Sequence, residues 1–254
     1  MQQQIRFCKT ADGVRLAYAS VGAGEPLVKA ANWLSHVEYD WRTPVWRPFF
    51  ERLARNRRVV RYDARGCGLS DWDVDEYSLE AWVQDLEAVV DAAGLKRFSL
   101  LGISQGGAIA ITYAVRHPER VSRLILLGAY GRGYMKRNPT PAQVEEWRVL
   151  TDLLRIGWGR ETAAFRQVFT SMFIPDGSPE QLRWFDELQR QSTSPENAAR
   201  ILTAFGEIDV RDLIPAVTVP TLVRPKSRDT KIAMHGCTAP IPSPKSAPPA
   251  RFIT

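Results

Sequence analysis

The sequence predicts an α/β protein with a mainly parallel sheet and helices on both faces. Three observations carry that prediction. Short apolar, β-branched runs alternate with helix-like stretches over residues 1–130, the pattern of strand–helix–strand crossovers. The turn Gly102-Ile103-Ser104-Gln105-Gly106 joins one such run to a helical stretch. Between 140 and 205 the strand signal disappears, and it returns at 219–224. A helical unit is therefore expected between two strands of one sheet.

Taken in order, residues 5–8 and 15–19 read as a hairpin around the Asp12-Gly13 turn, a dipeptide suited to tight reversal. Buried strands are expected at 27–31, 58–62, 98–103 and 123–127, with helices at 45–54, 79–93 and 107–117 between them. In 79–93 the residues Trp82, Leu86, Val89 and Val90 recur at helical spacing, and Gly94 is a natural stop. Pro118 closes the helix that ends at His117.

Past residue 127 two apolar stripes, Val144/Trp147/Leu150/Leu154 and Phe165/Val168/Phe169/Met172, predict packed helices. With Trp158, Phe173 and Trp184 they suit an aromatic lid over a site. From 236 to 250 prolines recur at 240, 242, 244, 248 and 249, which predicts an extended or irregular segment. The expected organisation is a core over 1–131, a helical cap over 132–207, the rest of the core over 208–233 and an irregular tail over 234–254.

The 254 residues, 44% hydrophobic, suit one globular unit. The start Met1-Gln2-Gln3-Gln4 lacks the character of a signal peptide, and no apolar run reaches membrane-spanning length. Cys8, Cys67 and Cys237 are too scattered for a disulfide framework or a metal knot, so a reducing cytoplasm is the expected compartment. The net charge of +6 is dispersed. Its densest cluster, Arg55, Arg57, Arg58 and Arg61, has no interleaved aromatics and reads as solvated surface, not a nucleic-acid contact.

The chemistry concentrates at Ser104. A serine on a sharp strand-to-helix turn is held in a strained conformation with its hydroxyl exposed, and flanking glycines let strand and helix approach. The Gln105 amide, at the helix start, points to where an oxyanion would form. The alternative is a glycine-rich turn with an idle serine. His117 reads as a structural helix end, and His36 as a loop histidine.

With the serine turn, the segment Asp63-Ala64-Arg65-Gly66-Cys67-Gly68-Leu69-Ser70-Asp71 resembles the α/β-hydrolase superfamily, in the branch of small esterases, lactonases, C–C hydrolases and cofactor-free haloperoxidases. The resemblance covers roughly residues 4–230. Asn32-Trp33-Leu34-Ser35-His36-Val37-Glu38-Tyr39-Asp40-Trp41 is similar to a subgroup in which such domains accompany cyclase or DNA-binding regulatory domains.

The resemblance implies acyl transfer to water, with Ser104 as nucleophile and the Gln105 and Trp33 amides as oxyanion donors. Ala31-Asn32 stands where that family carries a His-Gly pair, and asparagine tolerates positive φ better than most residues. Asp229 falls at the acid position. The base is expected after one further strand and helix; the sequence offers His235, close behind the acid, and otherwise reads as a truncated or frame-altered relative with an incomplete final strand and helix.

Asp63 and Arg65 read as scaffold. Tyr130, Trp147 and Phe169 are the candidate substrate-binding side chains for a small hydrophobic acyl or ring substrate. The resemblance implies no metal, nucleotide or flavin. The dispersed charge and the lack of a membrane-length apolar run predict no nucleic-acid or membrane partner, and an uncovered sheet edge offers a route to self-association. A ligand-binding sensor module and a defective product without activity are the other classes left open.

Overall fold

The computed structural model describes residues 1–158, 160 and 162–224. Its opening hairpin pairs β1 (Gln4–Lys9) with β2 (Arg15–Val21), antiparallel. Next come β3 (Glu25–Lys29), a one-turn helix α1 (Val37–Asp40), α2 (Arg47–Ala54), β4 (Arg57–Tyr62) and α3 (Leu79–Ala92). The central crossover is β5 (Phe98–Ile103), α4 (Gly106–Arg116) and β6 (Val121–Leu127). Four helices follow: α5 (Pro141–Gly157), α6 (Ala163–Phe173), α7 (Pro179–Ser192) and α8 (Pro195–Gly206). The last described strand is β7 (Thr221–Arg224).

These strands form one sheet in the order β1-β2-β4-β3-β5-β6-β7. β2 pairs β4 antiparallel, and every pairing from β4 through β7 is parallel. The expected mainly parallel α/β architecture is therefore present. The middle strands carry Leu27, Val28, Val59, Val60, Leu100 and Leu101, all buried, as a sheet covered on both faces requires.

Local signals account for the helices. Ser78 caps α3 by accepting a hydrogen bond from the Ala81 N–H at 3.1 Å, and Trp82, Leu86, Val89 and Val90 all face the core. Capping boxes start α5 (Thr140 with Gln143) and α7 (Ser178 with Gln181), each with proline in the first turn. The described residues of 140–205 contain no strand, and the four helices stand between β6 and β7, as the stripes predicted.

Several expectations need correction. β3 ends at Lys29, so residues 30–34 form a loop and not the end of a strand. α2 begins at Arg47, with Pro48 in its first turn, and α1 had no clear sequence signal. Val144 and Val168 leave their stripes and are exposed, because each helix buries a narrower face than its apolar content allows. Arg61 is not solvated surface: it is 3% exposed, within hydrogen-bond reach of Asp40 at 3.4 Å and Gln3 at 2.7 Å, its guanidinium 4.5 Å from the Phe50 ring centre. Its strand runs through the interior, and the side chain finds polar partners there. On β7, Leu222 and Val223 are exposed. The segment 234–254 lies outside the described residues.

Candidate active site

Three glycines shape the turn between β5 and α4. A Cβ on Gly102 would lie 2.7 Å from the Gly107 Cα, and one on Gly106 would lie 2.7 Å from the Ala31 carbonyl oxygen. A Cβ on Gly107 would overlap that of Ala129. Strand, helix and neighbouring loops thus approach at backbone distance, which no side chain permits. The tightness is taken up at Ser104, whose φ is +53°, a left-handed conformation that costs a non-glycine residue energy. Its backbone is fixed by Ser104 N–H to Leu127 O at 3.2 Å and by Gly107 N–H to Ser104 O at 3.0 Å.

The half-buried Ser104 hydroxyl has no hydrogen-bond partner among the described residues. Gln105 caps α4 and is 3% exposed, and its backbone N–H likewise donates to nothing described. The N-terminus of α4 adds a partial positive charge there.

The loop after β3 packs against this turn. Ala30 N–H continues the sheet by donating to Leu101 O at 2.9 Å, and Ala31 O meets Gly106. Trp33 is buried, and its backbone N–H has no described acceptor. The left-handed residue of this loop is Leu34, at φ +50°, and not Asn32. Asn32 instead accepts a hydrogen bond from the buried Lys29 ammonium.

Beneath the loop, Asp63 is fully buried and accepts from Val37 N–H at 2.8 Å and Leu69 N–H at 2.9 Å. Burial pushes its carboxyl up to about 7, against the pull of those bonds. Arg65 donates to Asp85 at 2.8 Å and to Asp12 at 2.8 Å. Both residues brace the 63–71 loop as the sequence suggested, and Gly66 and Gly68 adopt positive φ within that loop.

The described histidines are engaged elsewhere. His36 caps α1 through Nδ1, accepting from Tyr39 N–H at 3.2 Å, and burial lowers its pKa. His117 meets Glu87 at 2.8 Å. It stands at the far end of α4, and a helix of that length spans about 16 Å. Asp229 and His235 lie outside the described residues.

The inserted helices reach the site through Trp33. Its indole stacks on Phe173 (6.2 Å between ring centres, 12° between planes) and meets Trp158 and Phe205 edge-on at 5.8 and 5.9 Å. Phe169 sits one layer behind, against Trp158 at 5.6 Å. Trp147 instead stacks on Tyr134 at 4.7 Å, and the Arg137 guanidinium lies 5.4 Å from the Tyr130 ring centre.

Phe169 thus meets Trp33 through Trp158, while Trp147 and Tyr130 each have a ring contact with a residue of the 134–137 turn. Phe173, Trp158 and Phe205 touch Trp33 directly. The aromatic richness of 140–205 hinted at the first two; Phe205, at the end of α8, carried no separate signal. A cavity of about 10 Å³ opens between Trp33, Trp82, Ile109 and Phe205, room for about one water.

Among the described residues no cluster of three His, Cys, Asp or Glu side chains is arranged to hold a metal ion, and no helix is long and apolar enough to cross a membrane.

Residues 36–199 match the family model described as the alpha/beta hydrolase fold. The AB hydrolase superfamily protein YisY of Bacillus subtilis is 28% identical over 219 residues, 85% of this chain and 79% of that protein. The 2-hydroxy-6-oxo-2,4-heptadienoate hydrolase of Pseudomonas putida is 32% identical over 198 residues, 70% of this chain and 69% of that protein. Among solved structures, the esterase EaEST of Exiguobacterium antarcticum superposes with a TM-score of 0.72 at 26% identity, covering 87% of this chain and 80% of that one.

Proposed function

The chain belongs to the alpha/beta hydrolase fold family, a family of enzymes, and on that premise we propose that it is a serine hydrolase acting through Ser104 on a carboxylic ester, a lactone or a similar acyl or C–C substrate. The observation that carries the proposal is the Ser104 turn: a strained φ of +53° and a hydroxyl with no partner among the described residues. Idle serines in strained turns normally relax by substitution or satisfy their hydroxyl locally, so strain retained beside a helix N-terminus argues for use.

In this reading the Ser104 Oγ attacks the substrate carbonyl carbon, and its proton passes to a base. The carbonyl oxygen becomes an oxyanion held by the Gln105 and Trp33 N–H groups, neither of which is spent on an acceptor among the described residues. That oxyanion collapses and expels the alcohol or carbon leaving group, which takes the proton from the base. Water, deprotonated by the same base, then attacks the acyl-enzyme, and collapse of this second intermediate releases the product acid and returns the proton to the serine. Asp229 and His235 are the sequence's candidates for the acid and base. The aromatic wall of Trp33, Phe173, Trp158 and Phe205 favours a small hydrophobic acyl or ring substrate. The substrate named for the Pseudomonas relative, 2-hydroxy-6-oxo-2,4-heptadienoate, is a first compound to assay.

A fluorophosphonate probe tests the nucleophile. Ser104 is expected to be the labelled serine, and labelling that persists in Ser104→Ala overturns the assignment. A second reading, ligand binding with little or no turnover, is favoured by the engagement of both described histidines elsewhere. Hydrolysis of short p-nitrophenyl esters separates the two: labelling without turnover, unchanged in His235→Ala, supports the binding reading, and turnover lost in that variant assigns the base to His235.

A further inference from the structure

Lys29 ends β3 and is 6% exposed, with its ammonium in the interior. It forms no ion pair among the described residues. Its nitrogen donates to the Asn32 side-chain oxygen and, at 3.4 Å, to Ala30 O. The charged groups that face it are Asp40 from α1, Arg61 from β4 and Asp63 just beyond β4; the two carboxylates favour the ammonium, the guanidinium opposes it, and burial outweighs all three. A buried ammonium without a direct counter-ion is costly, and this one spans the loop that carries the Trp33 amide.

The Trp33 N–H belongs to the peptide that joins it to Asn32, so whatever holds Asn32 sets the direction of that donor. The loop has a side chain where the family resemblance implies glycine, and that side chain is tied from below. We propose that Lys29 is a positioning residue for the oxyanion loop: its hydrogen bond to Asn32 fixes the Asn32–Trp33 peptide so that the Trp33 N–H faces the Ser104 turn. This rests on the serine-hydrolase reading above. The preceding peptide is set by Ala31 O against Gly106, so the chain is held at two successive residues just before the donor. Lys29 itself stays inside the protein and acts on the reaction through geometry.

The test is the second-order rate of fluorophosphonate labelling at Ser104 in the wild type, Lys29→Met, Asn32→Ala and the double variant, each with its thermal melting curve. Loss of a whole oxyanion donor slows such reactions by about 100- to 1,000-fold, and a misdirected one is expected to cost about tenfold. Each single variant should therefore label about tenfold more slowly, and the double variant no more slowly than either, because both remove one shared contact. Lys29→Met should melt at or above the wild-type temperature, since methionine needs no counter-ion there; a purely structural lysine would lower melting and rate together.

Wild-type labelling rates in either single variant, or multiplying losses in the double, overturn the proposal. If Lys29→Met does not fold, Asn32→Ala decides alone by the same criterion. A wild-type protein that is not labelled at Ser104 overturns the serine-hydrolase reading and this one with it; a labelled wild type with unaffected variants overturns this one only.

Discussion

Gly106 and Ala31 meet without room for a single methyl group: a Cβ on the glycine would stand 2.7 Å from the alanine carbonyl oxygen. Through this contact the start of α4 and the loop after β3 become neighbours, and with them the Gln105 and Trp33 N–H groups, which have no acceptor among the described residues. Neither segment can be displaced without moving the other. Gly106→Ala is expected to slow Ser104 labelling by at least about tenfold while costing about 1–3 kcal/mol of stability, as overpacking does. Labelling kinetics beside urea unfolding check it; an unchanged rate would show that the contact is slack.

Strain at Ser104 gives a second expectation. Its φ of +53° is comfortable for glycine and awkward for alanine. Ser104→Gly should be more stable than Ser104→Ala by about 1 kcal/mol, although both abolish labelling. Equal stabilities in denaturant unfolding would mean that the turn relaxes in solution.

The Arg65 guanidinium pairs with fully buried Asp85 and with Asp12, whose side chain is 43% exposed. Asp85→Ala leaves a buried cation without its interior partner and should cost about 3–5 kcal/mol. Asp12→Ala should cost about 1 kcal/mol or less, because water replaces the lost carboxylate. Chemical denaturation of the two variants gives the comparison.

The pH dependence of stability follows from Lys29. Burial pushes its folded-state pKa down from 10.5 to about 8. Between these values the unfolded chain binds more protons than the folded one, so this lysine makes stability rise with pH across that window. The difference between wild type and Lys29→Met should therefore shift in favour of the wild type from pH 8 to 10.5. A difference independent of pH would mean that the ammonium is hydrated in the folded protein.

Much of the site was legible because its determinants are local. The glycines at 102, 106 and 107 announce close backbone approach, and a serine between them announces the elbow. Asp63 and Arg65 with their glycines announced a braced loop, and both side chains are used that way. The α3 stripe needed only neighbours within a few positions.

Other features depended on segments far apart in sequence. Arg61 belonged, by composition, to an exposed basic cluster, yet its strand crosses the interior and its partners are Gln3 and Asp40. Asn32 was the natural place for a left-handed residue, but Leu34 takes that conformation and Asn32 is tied to Lys29. The stripe alone could not show that Trp147 stacks on Tyr134, or that Trp33 is met by Phe173, Trp158 and Phe205.

The physical division is one of range. Periodicity, caps and turn chemistry act over a few residues and specify strands, helices and the serine turn before anything packs. Which indole covers Trp33, which carbonyl touches Gly106 and which amide is left unspent follow only when β3, α4 and the inserted helices are brought together, because burial and steric exclusion act between surfaces that the chain order separates.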